Sequence, residues 1–256
     1  MFATVLSKDI WTGAILGAVL GSIIIPVVLS LMSKVKVWWF QKKPQTQLLQ
    51  GIIYQSEPCR IFVRDFFIKA GTELISVEPR LGVGTVPNVR ELWPDCEGRA
   101  VASIFNVLGK VGKTKNIEII RMSQDVGEWN SHVFVLGAQA KKSFDFYRHM
   151  NNVAYQMDNK EIYDVGTGKI IPREHGFGYG IILKVENPFK ATGKKGVGFL
   201  IGGFGVLGTS AAAYYFREHF VQLGKEFGKD CFGILVRAPV TAGEQAVQRL
   251  KQFDKR

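Results

Sequence analysis

The chain has 256 residues, enough for one or two domains, and it is 46% hydrophobic, 12% aromatic and 21% charged. This composition excludes a wholly disordered chain, which would be polar and poor in aromatic residues, and it excludes collagen-like and disulfide-rich chains. The formal net charge is +11. The basic residues do not cluster among aromatic residues, so the sequence does not indicate direct binding to nucleic acid.

An uncharged stretch lies near the N-terminus, between Asp9 and Lys34. As a helix, residues 10–33 would be about 36 Å long, whereas the hydrocarbon core of a bilayer is about 30 Å thick. A signal peptide is the alternative, but its apolar region is shorter and a small-residue cleavage site follows it. The sequence therefore predicts an N-terminal transmembrane helix with its flanks over residues 1–40.

Aromatic and basic residues follow this stretch. Trp38 and Trp39 are typical of side chains that lie at the level of the lipid headgroups. Four lysines follow the stretch and only Lys8 precedes it, so the positive-inside rule predicts a single-pass protein of the cell (inner) membrane with a cytoplasmic C-terminal domain. The lysines either fix the topology alone or also bind anionic lipid of the bilayer. They are Lys34, Lys36, Lys42 and Lys43.

Three glycines in the predicted span are spaced four residues apart, at Gly13, Gly17 and Gly21. This spacing places them on one helical face, and small residues allow close helix–helix contact in membranes. The pattern predicts a homo-oligomer, although glycine is also common in membrane helices generally.

A polar linker is predicted over residues 41–50 and an α/β domain over residues 51–256. Apolar strands that alternate with helices indicate a Rossmann-like, mostly parallel sheet with an antiparallel insertion. The predicted strands are Cys59–Ile68, Asn116–Met122, His132–Leu136, Val197–Ile201 and Cys231–Arg237, and an antiparallel ribbon is predicted over Gln156–Val185. The predicted helices are Gly98–Leu108, Lys141–Met150, Thr209–Leu223 and Ala242–Phe253, and a glycine-rich loop is predicted over Leu81–Asn88.

A glycine fingerprint joins a predicted strand to a predicted helix through Gly203, Gly205, Gly208 and Thr209. Glycines let a backbone approach a ligand, and a helix N-terminus suits a phosphate group. Arg237 ends the next predicted strand, where an acidic residue would bind the ribose of NAD and an arginine suits a phosphate. The motif indicates either a nucleotide-like ligand or tight packing of the helix on the sheet.

Two further segments are candidates for ligand contact. Gly137 and Gln139 follow the strand His132–Leu136, at a sheet edge where ligands bind in open α/β folds. Arg80 and Arg90 flank the glycine-rich loop, and guanidinium groups suit phosphate oxygens. The alternative for this loop is a solvated surface turn.

The sequence predicts no metal site and no catalytic residues. Its three cysteines and four histidines lack the close spacing of zinc ligands, and no nucleophile motif is present. Ser131 and His132 are neighbours along the chain, which by itself does not indicate a catalytic pair.

The glycine-containing strand–helix turns within residues 131–238 resemble those of a widespread group of prokaryotic α/β domains. Together with the predicted anchor, the layout resembles membrane effectors of prokaryotic antiviral defence, of the kind associated with cyclic nucleotides or short Argonautes. By analogy, the resemblance implies a domain that senses a nucleotide-like ligand or a protein partner and a helix that oligomerises and perturbs the membrane. A membrane-tethered enzyme acting on nucleotides or NAD and an anchor that recruits a protein partner are the alternatives.

Overall fold

The structure is a computed structural model that describes residues 22–63, 95–122, 131–138, 143–144, 146–147, 155–158, 161–187 and 196–255. The chain divides into two compact units, Met1–Pro44 and Gln45–Arg256. The predicted glycine-rich loop, Leu81–Asn88, lies outside the described residues.

In the first unit, helix α1 covers residues 22–37 and continues into a π-helical turn, Trp38–Lys42. Among the described residues, no helix is both long enough and apolar enough to cross a membrane. The predicted transmembrane helix is therefore wrong for this part of the chain. The uncharged part of α1, residues 22–33, has a rise of only about 18 Å before Lys34, and residues 10–21 lie outside the described residues.

Helix α2, Lys43–Leu49, and a 3₁₀ turn, Gln50–Ile53, follow. The side chains of Leu48, Leu49 and Ile52 are fully buried in the second unit. The segment predicted as a polar linker is thus partly a helix, and its final residues contribute to the core because their apolar side chains lie on the side that faces the sheet.

The second unit contains a seven-stranded sheet with the order β10-β9-β7-β8-β3-β1-β2 and a separate three-stranded sheet with the order β4-β5-β6. Its helices are α3, Asp95–Lys110, and α4, Gly205–Phe227. The strands are β1 Cys59–Val63, β2 Ile117–Arg121, β3 His132–Leu136, β4 Tyr155–Asp158, β5 Glu161–Asp164, β6 Lys169–Ile171, β7 Phe177–Glu186, β8 Val197–Gly203, β9 Phe232–Pro239 and β10 Gln248–Arg249.

The large sheet is mixed, which corrects the prediction of a mostly parallel, Rossmann-like sheet. Strands β2, β1, β3 and β8 pair in parallel. Strand β7 pairs antiparallel with both β8 and β9, and β10 pairs antiparallel with β9. The difference arises because β7, the last part of the predicted ribbon, lies between β8 and β9, which are the two strands that α4 connects. The α/β class is confirmed.

Each face of the large sheet has its own hydrophobic cluster. Helices α2, α3 and α4 contribute to one cluster, together with strand residues such as Phe134 and Phe199. The other cluster includes Tyr155, Met157 and Ile162 of the three-stranded sheet. Strand β3 is buried along its whole length, as its continuous apolar sequence predicts for a strand covered on both faces.

The predicted C-terminal helix over Ala242–Phe253 is absent. The segment forms two 3₁₀ turns, Glu244–Ala246 and Lys251–Phe253, on either side of β10. Its composition favours a helix, but tertiary contacts override that preference: the Leu250 N–H donates to the Leu235 carbonyl at 2.9 Å, and Leu250 packs against the second cluster.

Arg249 fixes this segment to α4. Its guanidinium forms two 2.7 Å hydrogen bonds with the Glu226 carboxylate and bonds of 2.7 and 3.0 Å with Asp254. Only 4% of the Arg249 side chain is exposed. The guanidinium group forms bidentate hydrogen bonds with both carboxylates, which satisfies most of its donors. The two carboxylates therefore compensate this buried charge.

Lys184 is a second buried cation, on β7. Its ammonium group donates to the Gly228 carbonyl at 2.9 Å and to the Gln47 carbonyl at 3.4 Å. Gly228 ends α4 with a φ of 57°, so Lys184 also lies at the negative end of the helix dipole. Burial lowers the pKa of Lys184 to about 8, although Cys231 and Asp230 act in the opposite direction.

We expect the free energy of unfolding of the wild type to rise with pH between about 8 and 10.5, relative to that of the Lys184→Met variant. In this range the folded chain has lost the Lys184 proton while the unfolded chain still holds it, so unfolding requires proton uptake. Urea unfolding at several pH values measures the difference. Lys169→Met, at an exposed position on β6, is the control, and a difference independent of pH for Lys184→Met would contradict the prediction.

Candidate functional site

At the turn from β8 to α4, the backbone of the helix contacts the backbone of the sheet directly. A Cβ atom on Gly203 or on Gly208 would collide with the Tyr179 carbonyl oxygen, and one on Gly180 would lie 2.9 Å from the Cβ of Ala212. The first turn of α4 therefore rests directly on β7 and β8. The glycine fingerprint indicated either a ligand site or tight packing of the helix on the sheet. For Gly203 and Gly208, this geometry supports tight packing.

Thr209 lies inside this contact. Its side chain is fully buried, and its hydroxyl oxygen accepts a hydrogen bond of 3.1 Å from the Gly203 N–H. The N-cap of α4 is Phe204, whose side chain makes no capping hydrogen bond. Thr209 thus connects the helix to the end of β8 and is enclosed by packing.

Gly205 differs from the other glycines of the motif. It begins α4 with a φ of 62°, and no atom lies within 4 Å of the position that a Cβ would take. The first bond of the helix joins the Gly208 N–H to the Phe204 carbonyl at 3.2 Å, so the N–H groups of Gly205, Val206 and Leu207 have no partner within the helix. Gly205 and Val206 are exposed.

Arg237 lies on β9 directly opposite Tyr179 of β7. Its guanidinium pairs with the Glu174 carboxylate and lies 4.6 Å from the centroid of the Phe177 ring. Since the Tyr179 side chain belongs to the cluster opposite α4, Arg237 points to that face too. The structure therefore places Arg237 and Thr209 on opposite faces of the sheet.

Sequence reasoning missed Arg173 and Phe204. The Arg173 guanidinium lies 4.5 Å from the centroid of the Phe204 ring, and the Phe204 N–H donates to the Tyr179 carbonyl at 2.9 Å. A cation is thus held against the ring of the residue that precedes α4. No sequence spacing connects these two residues, because the contact depends on the pairing of β7 with β8.

Gly137 follows β3 with a φ of 88°, and its N–H donates to the Ile201 carbonyl at 3.0 Å. Gly202 packs against the peptide between Gly137 and Ala138, so the ends of β3 and β8 adjoin. The other predicted contact residues, Gln139, Arg80 and Arg90, lie outside the described residues, as do the predicted oligomerisation glycines Gly13, Gly17 and Gly21.

The buried titratable groups near the start of β3 have structural partners. The Nδ1 atom of His132 accepts a hydrogen bond of 3.0 Å from the Val197 N–H. Burial lowers the pKa of His132, with Glu57 raising it and Lys113 lowering it. The Lys113 ammonium donates to the carbonyls of Tyr54 and Glu57. Within the described residues, no group of three or more His, Cys, Asp or Glu side chains is placed to hold a metal ion.

A different surface occurs on α1 and the π-helical turn. Twelve large apolar or aromatic side chains between residues 23 and 39 are each 44–63% exposed. Because three consecutive residues, Ile23, Ile24 and Ile25, are all exposed, the apolar surface extends around the helix. The rings of Trp38 and Trp39 lie 6.2 Å apart, and the Lys43 ammonium lies 3.5 Å from the Trp39 ring centroid.

We expect Gly208→Ala to lower the free energy of unfolding by about 2–3 kcal/mol, at the upper end of the cost of overpacking a core. The added methyl group collides with the Tyr179 carbonyl, which belongs to the sheet backbone and has little room to move. Gly98→Ala is the matched control in α3, where no atom lies within 4 Å of the new Cβ. It should raise stability by up to about 1 kcal/mol.

Both variants are compared with the wild type by urea denaturation. A Gly208→Ala variant as stable as the wild type would show that the contact between α4 and the sheet is not tight.

Comparison of the chain with protein-family models, with curated proteins and with solved structures finds no match.

Proposed function

We propose that this protein associates with lipid membranes through α1 and that its α/β unit serves as a binding module beside the membrane. The observation that carries the proposal is the exposed apolar surface of α1. Monomeric soluble proteins seldom expose an apolar surface of this extent, and such a surface typically marks contact with a membrane or another protein. The resemblance to membrane effectors of antiviral defence stays a prediction, as does the cytoplasmic position of the α/β unit.

The chemistry of this segment favours lipid over a protein partner. A protein interface requires one apolar stripe on a helix, whereas α1 is apolar on all sides, as lipid contact requires. Trp38 and Trp39 follow α1 directly, and such aromatic side chains are enriched at the boundary between acyl chains and headgroups.

We expect the full chain to float with lipid vesicles in a density gradient and the Leu29→Glu/Met32→Glu variant to partition at least about tenfold less. Each fully buried apolar side chain of this size contributes about 1.5–3 kcal/mol to transfer out of water, and a carboxylate opposes entry into the acyl region. Leu29 and Met32 are 60% and 63% exposed.

Val206→Glu is the matched control, because Val206 is a similarly exposed apolar residue, at 58%, but lies on α4. It should float as the wild type does. If the wild type stays at the bottom of the gradient, or if the α1 variant floats equally well, lipid association through α1 is refuted.

For the α/β unit, the start of α4 supports a second candidate function, the binding of a nucleotide-like or other phosphate-bearing ligand. Three amide groups at the start of α4 have no partner within the helix, and the Arg173 guanidinium packs against the ring of the N-cap residue Phe204. A helix N-terminus combined with a guanidinium suits a phosphate. The anion would meet Gly205 and Val206 at the exposed edge, not Gly203, Gly208 or Thr209, which are enclosed by packing.

Native mass spectrometry of the chain with a panel of nucleotides that includes NAD tests this candidate. We expect Arg173→Ala to weaken binding about tenfold or more, because a hydrogen bond to a charged group contributes about 1.5–3 kcal/mol. Arg217→Ala, three turns into α4, is the control. Chemical conversion of a nucleotide would favour an enzyme, and equal binding by Arg173→Ala would exclude the site.

A further inference from the structure

His132, the first residue of β3, is a buried histidine whose tautomer is fixed by a hydrogen bond. Its Nδ1 atom accepts a bond of 3.0 Å from the Val197 N–H, so the single proton of the neutral imidazole lies on Nε2. The residue is only 6% exposed. A second proton would have to go to Nδ1, where it would turn an acceptor into a donor and break the bond to Val197.

The other side of the ring is enclosed by the 3₁₀ turn Gln50–Ile53. A Cβ atom on Gly51 would collide with the Nε2 and Cε1 atoms of His132, so only a glycine lets the backbone of the turn lie this close to the ring. The ring therefore has little room to turn away from the Val197 N–H unless the 3₁₀ turn moves.

The groups around His132 disfavour a positive charge on its ring. Burial is the main cause that lowers the pKa of His132 from its usual value of 6.5, while Glu57 raises this pKa and Lys113 lowers it. The Cys59 thiol, on β1 directly opposite His132, is uncharged because burial raises its pKa to about 12. The turn Gln50–Ile53 and strand β8 carry no titratable side chain.

Among the elements that contact His132, the 3₁₀ turn is the one that can move. Strand β3 pairs in parallel with both β1 and β8, whereas residues 45–53 form no strand pairing in the described part of the chain. This segment is attached to the core through the buried side chains of Leu48, Leu49 and Ile52. Gln50 has a φ of 49°, a left-handed conformation that is costly for a residue other than glycine, so release of the segment relieves strain.

We propose that protonation of His132 in mildly acidic solution favours the release of residues 45–53 from the sheet. In the released form His132 is open to water and takes up a proton near pH 6.5, whereas the packed form resists protonation, so a fall in pH shifts the equilibrium towards release. The segment connects the first unit to β1. An extended chain spans about 3.3–3.6 Å per residue, so release supplies up to about 30 Å of connecting chain.

Hydrogen exchange of the full chain, followed by mass spectrometry of its peptides, tests this inference at pH 7.5 and 5.5. Labelling times are scaled to the chemical exchange rate at each pH. We expect the protection of residues 45–55 to fall about fivefold to tenfold at pH 5.5, since one pH unit below its pKa a group in the released form is about tenfold more protonated than neutral. The protection of residues 211–223 in α4 should not change.

Two substitutions assign the effect to its source. His132→Asn keeps an acceptor near the position of Nδ1 but does not titrate, so its protection should be the same at both pH values. His175→Asn, which removes an exposed histidine, is the matched control and should respond to pH as the wild type does.

Three results would overturn the inference: unchanged protection of residues 45–55 in the wild type, an equal loss in α4, or a pH response that persists in His132→Asn. If His132→Asn does not fold, an NMR titration of the His132 ring in the wild type decides the question. A pKa below 6.5 supports the inference, and a pKa of 6.5 or higher overturns it.

Discussion

The packing of α4 on the sheet depends on a backbone contact without intervening side chains. Gly180, Gly203 and Gly208 allow the first turn of α4 to touch β7 and β8, and the buried Thr209 hydroxyl joins the helix to the end of β8. This close approach fixes the position of the small residues Ala212 and Ala213, which are fully buried in the core. It also determines which part of the glycine fingerprint stays accessible, namely the exposed start of the helix at Gly205.

The sequence predicts the α/β class and several elements well, because their signals are local. Strand His132–Leu136 is observed with the predicted bounds, since a short apolar run between polar residues has few alternatives. The antiparallel insertion is present as β4–β6. In contrast, the mixed character of the large sheet follows from the pairing of β7 with β8 and β9, and no local pattern encodes which strands become neighbours.

The two wrong helix predictions lie at the two ends of the chain. Residues 10–33 are uncharged along the sequence, but among the described residues no helix is both long enough and apolar enough to cross a membrane. At the other end, Ala242–Phe253 has a helical composition, whereas pairing with β9 and the bonds of Arg249 determine its conformation. The contact of Arg173 with Phe204 was inaccessible to sequence analysis for the same reason, since it joins residues that only the folded sheet brings together.

The bonds of Arg249 also have a consequence for the order in which the chain folds during synthesis. Glu226 leaves the ribosome 23 residues before Arg249, and Asp254 follows five residues after it. Until then Arg249 is not available to the Glu226 carboxylate, and β9 lacks its outer neighbour β10. The outer edge of the large sheet therefore cannot form before the segment through Asp254 has left the ribosome.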